Sequence, residues 1–129
     1  EYDGTQAGEL ASYYAGIIYL KQGEYGLAIE YLKDADLEDE MTASVAKGAI
    51  GDAYLELGNY DDALSYYEEA IDESANSLTT PIYLKKAALI HEDKGEFTEA
   101  LENYKRIKED FPNSAEARNI ESYIARVGG

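Results

Sequence analysis

Apolar residues recur at three- and four-residue spacing along almost the whole chain, which is the spacing that gives a helix one apolar face. These stretches come in pairs, and a glycine interrupts each pair: Gly23, Gly58 and Gly95. Glycine adopts the left-handed conformation that ends a helix at no steric cost. The pattern therefore predicts three helical hairpins. A seventh helix, which carries Ile120 and Ile124, is predicted to follow them.

The same spaced motif accompanies each of these glycines. Its three copies are Gly16-x-x-Tyr19-x-x-x-Gly23-Glu24-Tyr25-x-x-Ala28, Gly51-x-x-Tyr54-x-x-x-Gly58-Asn59-Tyr60-x-x-Ala63 and Ala88-x-x-His91-x-x-x-Gly95-Glu96-Phe97-x-x-Ala100. The central glycines lie 35 and 37 residues apart. A period of this size indicates stacked helical hairpins, none of which can bury its apolar face alone.

Side chains that cap helices are predicted at the other helix ends. Asn59 is expected to cap the second helix of the second pair. Thr80 precedes Pro81, an order that predicts a capping hydroxyl before a proline at the first helical position. Asn113 and Glu116 form a capping pair for the seventh helix.

The motif resembles the tetratricopeptide repeat, which combines small residues, aromatic residues and a glycine at fixed positions. The second copy matches most fully, through Gly51, Tyr54, Gly58, Tyr60, Ala63, Tyr67 and Ala70. The third departs from the pattern at His91 and Ile107, and the first has Leu32 in place of the late aromatic residue. The resemblance implies an all-α fold, a right-handed superhelix of three hairpins plus a C-terminal capping helix. The expected single domain covers 1–129, with repeats at about 9–42, 43–78 and 80–114 and the cap helix at 115–127.

Three further strings carry a narrower resemblance: Tyr13-Tyr-Ala-Gly-Ile-Ile-Tyr-Leu-Lys-Gln-Gly23, Gly48-Ala-Ile-Gly-Asp-Ala-Tyr54 and Ile120-Glu-Ser-Tyr-Ile-Ala-Arg126. They are similar to the C-terminal domain of membrane-anchored tetratricopeptide proteins of Bacteroidetes, whose layout resembles the ancillary translocon subunit or periplasmic chaperone-like family. The resemblance implies a bacterial envelope protein on the periplasmic side of the inner membrane, with a cytoplasmic location as the alternative. The chain opens at Glu1 and its single methionine is Met41. An upstream segment that carries the anchor is therefore expected.

The charge of the chain narrows the classes of partner. Its 27 acidic and 11 basic residues give a net charge of −16 at pH 7. Such a charge repels nucleic-acid phosphates and anionic lipid headgroups. We therefore expect neither nucleic acid nor direct membrane contact, and we expect a protein or peptide partner with basic residues. The chain has no cysteine, which excludes disulfides and thiolate metal sites.

The resemblance also implies a binding groove, because the first helix of each repeat lines the concave face in this family. The predicted groove residues are Tyr13, Ile17, Leu20, Lys21, Asp52, Leu55, Glu56, Lys85, Leu89 and Glu92. Their apolar members are expected to supply affinity and their acids to select basic residues. Family members that grip an acidic C-terminus use inward Lys and Asn, whereas this chain has Ile17, Asp52 and Leu89 at one such position. An acidic tail is therefore not the expected ligand. Alternatively, the missing upstream segment fills the groove.

Six of the 13 tyrosines fall on framework positions of the motif. The tyrosines predicted to pack in the core are Tyr19, Tyr25, Tyr54, Tyr60, Tyr67 and Tyr104. Tyr13, Tyr14 and Tyr83 lie outside the framework and are candidate ligand contacts. His91 occupies the position that Tyr19 and Tyr54 hold in the other copies, so it is predicted to replace a core aromatic residue.

No catalytic constellation is recognisable in the sequence. It contains no nucleophile–base pair and no phosphate-binding loop. The acidic run 34–40 fails as a calcium loop, because the twelfth residue counted from Asp34 is Val45 rather than glutamate. We therefore predict a protein that is not an enzyme and has no cofactor, catalytic residue or metal site.

The predicted function is that of a protein–protein interaction scaffold. It would be the envelope-exposed part of a membrane-anchored chaperone-like or assembly factor that binds a peptide or protein segment in its groove. The alternative is a structural self-association module, whose repeat stack oligomerises or packs against its own upstream segment. Leu10, Tyr14 and Ile18 would then form the contact of a homodimer, since uncovered apolar patches on soluble proteins tend to associate.

Overall fold

The computed structural model describes residues 5–129, which form seven α-helices, one short 3-10 helix and no strand. The helices are α1 (Gln6–Lys21), α2 (Tyr25–Asp34), α3 (Glu40–Glu56), α4 (Tyr60–Glu73), α5 (Thr80–Asp93), α6 (Phe97–Asp110) and α7 (Ile120–Arg126). The predicted all-α fold class is confirmed. The chain divides into two compact units. The first ends at Ser74 and holds α1–α4, and the second runs from Ala75 to Gly129 and holds α5–α7. Whether the two units act as one domain stays a prediction.

The three hairpin turns have one shared geometry. Gly23, Gly58 and Gly95 have positive φ angles of 79°, 79° and 75°. In the first turn the amide of Glu24 donates to the carbonyl of Tyr19 at 2.9 Å, and the other two turns repeat this bond at 2.9 and 2.8 Å. This is the pattern in which a left-handed glycine ends a helix and its exposed carbonyls are satisfied. The predicted turn positions are confirmed.

The core of the first unit lies between α2 and α3. Its buried members are Ala28, Ile29, Leu32, Ala46, Ala49, Ile50 and Ala53. Within both hairpins of this unit the two helices approach closely at a glycine. A Cβ atom at position 16 would lie 2.5 Å from Cγ of Leu32, and one at position 51 would lie 2.8 Å from Cε1 of Tyr67. Glycine at these two positions is therefore required by packing.

The second unit pairs α5 with α6 in the same way. The buried side chains at the centre of these helices are Leu84, Ala87, Ala88, Ile90, Ala100, Tyr104 and Ile107. His91 is also buried, and its Nδ1 lies 2.8 Å from Oε1 of Glu96 at the start of α6. His91 thus occupies the aromatic position as predicted, and its polar edge has a carboxylate partner.

The C-terminal cap differs from the prediction. Ala115–Ala117 forms a separate 3-10 turn, and Asn119 adopts the left-handed conformation with φ 60° before α7 begins. The predicted continuous helix at 115–127 is therefore wrong, because the left-handed backbone of Asn119 interrupts the helix. The predicted capping pair of Asn113 and Glu116 is also wrong. Instead, the hydroxyl of Ser114 accepts a hydrogen bond of 3.2 Å from the amide of Ala117 and caps the 3-10 turn. Ile120 and Ile124 of α7 are buried.

Two other predicted caps also differ. The helix α5 begins at Thr80 rather than at Pro81, and Oδ1 of Asn76 accepts the amides of Leu78 and Thr79 at 2.9 and 2.8 Å. Asn59 lies at the N-cap of α4, but its side chain makes no capping bond. The reason is that Asn59 also completes the glycine turn, which holds its backbone at φ −90° and ψ 75°.

Candidate protein-binding surface

Seven of the predicted groove residues lie in the first unit, and we call them the groove face. They are Tyr13, Ile17, Leu20 and Lys21 on α1 and Asp52, Leu55 and Glu56 on α3. Tyr13, Ile17 and Leu20 are partly buried and pack against the core between α2 and α3. Their remaining surface faces solvent, and Leu55 is also half-buried. Lys21 and Glu56 are exposed. The groove face thus combines partly accessible apolar side chains with two exposed charges of opposite sign.

Asp52 has a partner inside the protein. Its Oδ1 accepts a hydrogen bond of 2.5 Å from the hydroxyl of Tyr67, whose side chain is fully buried in α4. A buried tyrosine hydroxyl needs an acceptor, and a carboxylate at the edge of the core provides one. This acid therefore stabilises the second hairpin, and its capacity to select a basic ligand is reduced.

The other three predicted groove residues lie on α5 in the second unit. Glu92 accepts hydrogen bonds from Nε and Nη2 of Arg126 at 2.8 and 2.7 Å, and it also accepts the hydroxyl of Tyr104. The bond from Arg126 lowers the pKa of Glu92, and burial together with the Glu92 carboxylate raises the pKa of Tyr104. Nζ of Lys85 lies 4.7 Å from the centroid of the Tyr123 ring, whereas Leu89 is exposed. Two of the three side chains are therefore occupied by contacts with α7.

A regularity across the repeats explains where two of the acids in the predicted groove occur. The late aromatic position holds Tyr67 in the second hairpin and Tyr104 in the third, and each hydroxyl donates to an acid on the preceding helix. In the first hairpin this position holds Leu32, and α1 presents apolar residues at the equivalent places. An acid that accepts this hydrogen bond is thus found in the two hairpins that have a tyrosine at the late aromatic position. The sequence contained this signal, but the prediction of a groove that selects basic residues did not use it.

The tyrosine predictions are confirmed in part. Tyr67 and Tyr104 are fully buried, whereas Tyr60 is 47% exposed. The core prediction for Tyr60 is therefore wrong, because at the first residue of α4 its side chain remains about half exposed. Tyr83 is buried, so it is wrong as a candidate ligand contact. Tyr14 is 60% exposed and Tyr13 is partly exposed.

A cavity of about 270 Å³ lies in the first unit between α2, α3 and α4. Leu32, Ala46 and Ile50 belong to its lining, and at its rim Nζ of Lys47 lies 3.0 Å from a carboxylate oxygen of Glu73. Lys47 and Glu73 at the rim are thus paired with each other. Residues 5–129 contain no group of three or more His, Cys, Asp or Glu side chains placed to hold a metal ion. No helix in that range is both long enough and apolar enough to cross a membrane.

Successive two-helix hairpins with glycine turns define a helical repeat protein. Comparison with protein families identifies the repeat. A tetratricopeptide repeat family matches residues 49–115, and a second tetratricopeptide repeat family matches residues 11–40. The first match covers more than half of the 129 residues. The chain belongs to the tetratricopeptide repeat family.

Two curated proteins are similar in sequence. The uncharacterised protein Ycf37 of Guillardia theta is 32% identical over 120 residues, a match that covers 89% of this chain and 66% of Ycf37. The photosystem I assembly protein Ycf3 of Synechococcus sp. (strain CC9605) is 39% identical over 56 residues, which cover 43% of this chain and 32% of Ycf3. The chain thus spans about two thirds of the length of one relative and one third of the other.

Two solved structures share the fold. The type III secretion chaperone SycD of Yersinia enterocolitica, in complex with a peptide of the translocator YopD, has a TM-score of 0.74 at 20% identity, covering 91% of this chain and 89% of SycD. The first tetratricopeptide domain of Spaghetti (RPAP3), bound to the HSP90 peptide SRMEEVD, also has a TM-score of 0.74, at 23% identity and with both chains fully covered. At these identities the likeness establishes the fold alone.

Proposed function

We propose that this chain is a non-catalytic interaction module that binds a peptide or protein segment on the groove face. The observation that carries the proposal is the row of partly buried apolar side chains on α1. Tyr13, Ile17 and Leu20 pack against the core on one side and face solvent on the other. A ligand side chain laid on this row would remove apolar surface from water, which is the main favourable term in association.

The two structural neighbours support a peptide ligand, since each was solved with a peptide bound. The charge of this chain favours a ligand that is not an acidic tail. Asp52 occupies a repeat position that is predicted to face the groove, and the whole chain has a net charge of −16. We propose a ligand that combines apolar side chains with basic residues. Glu56 is the exposed acid of the groove face that would meet them.

The proposal is tested with peptides selected from a random peptide library on the immobilised wild-type chain. Their affinities are then measured by isothermal titration calorimetry for wild type and for the variant with Lys21→Glu and Glu56→Lys. This exchange keeps the net charge constant and alters two exposed side chains. We expect at least a tenfold loss of affinity. Asp52 is left unchanged because it holds the hydroxyl of Tyr67.

A matched control exchanges two exposed charges on α6, through Glu102→Lys and Lys105→Glu. This variant is expected to bind the selected peptides as wild type does. Equal affinities for all three proteins would contradict the groove face as the binding surface. Circular dichroism of each variant establishes that the helices are retained.

A finer proposal concerns the cellular role. We propose an assembly or chaperone-like factor, a role supported by the name of the similar protein Ycf3 and by the narrower resemblance of the sequence. That resemblance also supports an envelope-anchored protein on the periplasmic side of the inner membrane. Protease accessibility in spheroplasts of the source organism tests the location. Degradation of the chain in spheroplasts is expected, and full protection until the membrane is opened would contradict it.

A further inference from the structure

A lysine joins the first hairpin to the second through two tyrosines. The rings of Tyr54 and Tyr66 stack with centroids 5.7 Å apart. Lys33, from the second helix of the preceding hairpin, places its Nζ 5.2 and 5.5 Å from these centroids and donates to the hydroxyl of Tyr54 at 2.7 Å. An ammonium group over aromatic faces at this distance is attractive. The chain thus contains a cation site occupied by its own lysine. This site lies where the first hairpin meets the second, which we call the first repeat junction.

The first hairpin carries the same aromatic pair one period earlier. Tyr19 and Tyr31 each precede their counterparts, Tyr54 and Tyr66, by 35 residues. Their ring centroids lie 5.3 Å apart with an interplanar angle of 34°. Within residues 5–129, no lysine or arginine lies over this pair. Tyr31 is 36% exposed.

The surface around the pair is apolar and uncovered. Tyr14 is 60% exposed and Ile18 is 54% exposed, and they occupy the helix positions of Ala49 and Ala53 in the second hairpin. Ala49 and Ala53 are buried in the core where the first hairpin packs on the second. The same face is thus covered on the second hairpin and open on the first. We call this surface of α1 and α2 the open face.

We propose that the open face binds a helix of another protein, and that this helix presents a lysine to Tyr19 and Tyr31 beside apolar side chains. The chain itself shows the arrangement: Ile29 and Leu32 pack in the core of the first repeat junction. Lys33, on the same helix, lies over the rings of Tyr54 and Tyr66. The partner helix would therefore carry two apolar residues and a lysine at the i, i+3 and i+4 spacing.

Charge favours a different protein over a second copy of this chain. Two copies would each carry a net charge of −16 and repel each other. Lys33 of a second copy would already be bonded to its own Tyr54. A cationic helix is attracted by the same field that opposes self-association. The open face is also distinct from the groove face, since Tyr14 and Ile18 are not among the groove residues.

The test uses a short stapled helical peptide with Ile, Leu and Lys at the spacing of Ile29, Leu32 and Lys33 in an alanine background. A second peptide has norleucine in place of the lysine. Binding to the full chain is measured by fluorescence anisotropy of the labelled peptides. We expect the lysine peptide to bind roughly fivefold or more tightly than the norleucine peptide, as a partly desolvated cation–aromatic contact predicts.

Variants of the chain then locate the contact. Tyr31→Leu keeps an apolar side chain but removes the pair, so it is expected to reduce the difference between the two peptides to the part that the net charge of the chain produces. Tyr60→Leu is the matched control, because Tyr60 is exposed on another hairpin, and it is expected to preserve that difference. Ile18→Lys places a positive charge on the open face and should weaken binding of the lysine peptide by tenfold or more. It provides a second test if Tyr31→Leu fails to fold.

Three results would overturn the proposal. The first is that neither peptide binds, and the second is that both bind wild type equally. The third is a dimer in sedimentation velocity that Tyr31→Leu or Ile18→Lys dissociates, which would assign the open face to a second copy. The exchange variant of Lys21 and Glu56 is expected to bind the lysine peptide normally.

Discussion

The hydroxyl of the buried Tyr67 and the carboxylate of the half-buried Asp52 are joined by a hydrogen bond of 2.5 Å. This bond links the core of the second hairpin to the groove face. A residue that looks like a ligand contact in the sequence therefore contributes to the stability of the fold. The same holds for Glu92, which accepts the hydroxyl of Tyr104 in the second unit.

This bond predicts a measurable coupling between the two side chains. Tyr67→Phe is expected to lower the free energy of unfolding by about 1–2 kcal/mol, because it removes a hydrogen bond to a charged acceptor. A double-mutant cycle with Asp52→Ala, measured by urea denaturation, is expected to give a coupling energy of about 1 kcal/mol. Strictly additive effects of the two substitutions would show that the bond does not contribute.

The close approach within the second hairpin predicts a cost for a single methyl group. Gly51→Ala would place a Cβ atom 2.8 Å from the ring of Tyr67 and 3.2 Å from the carbonyl oxygen of Ala63. We expect a loss of about 1–3 kcal/mol, typical of overpacking, despite the better helix propensity of alanine. Gly26→Ala is the control, since no atom lies within 4 Å of its Cβ position. This control is expected to gain about 0.4–1 kcal/mol. Thermal melts of both variants provide the comparison.

The Glu92–Arg126 pair predicts a pH dependence. The hydrogen bond from Arg126 lowers the pKa of Glu92 in the folded state below its ordinary value of 4.5. The stabilisation is therefore present above pH 4.5 and is lost as the pH falls through the lower, folded-state pKa. Glu92→Gln should be less stable than wild type at pH 7, and the difference should shrink towards pH 3. Urea denaturation at several pH values measures it, with Glu102→Gln on the exposed face of α6 as the control. A difference that does not change with pH would contradict the assignment.

The negative charge of the chain and of its predicted groove predicts that acidic tails do not bind. The peptide SRMEEVD, which is bound to the structurally similar RPAP3 domain, carries three carboxylate side chains and a terminal carboxylate. In this chain it would meet Asp52 and a net charge of −16. Calorimetric titration is expected to give no saturable heat with this chain and a clear signal with the RPAP3 domain. Saturable binding of this peptide to the chain would contradict the prediction, because it would show that the acidic residues of the predicted groove do not exclude an acidic ligand.

The hairpin turns were predictable because their determinants are local. A glycine at a fixed place in the motif is enough to indicate the left-handed residue, and Gly58 has that conformation with φ 79°. The burial of His91 was predictable for the same reason, since it occupies an aromatic position of the repeat. Periodicity thus identified the fold class and the order of the hairpins.

Other features depend on contacts that a spacing pattern does not specify. The motif treats Tyr60 as a framework aromatic residue, but its ring lies at an exposed first turn. The interruption of the C-terminal helix at Asn119 was not predictable from the sequence, because no glycine or proline stands there. Glu92 was expected to be a free groove acid, and its pairing with Arg126 spans 34 residues of sequence. Each of these outcomes depends on the three-dimensional neighbourhood.

The position of Lys33 has a chemical consequence. Its side chain is exposed, yet its ammonium group is the contact that joins α2 to two tyrosines of the second hairpin. Acetylation would replace that charged donor by a neutral amide. The first repeat junction would then lose its cation without any change in the amino-acid sequence. A reagent that acylates Lys33 would therefore be expected to weaken the contact between the first and second hairpins.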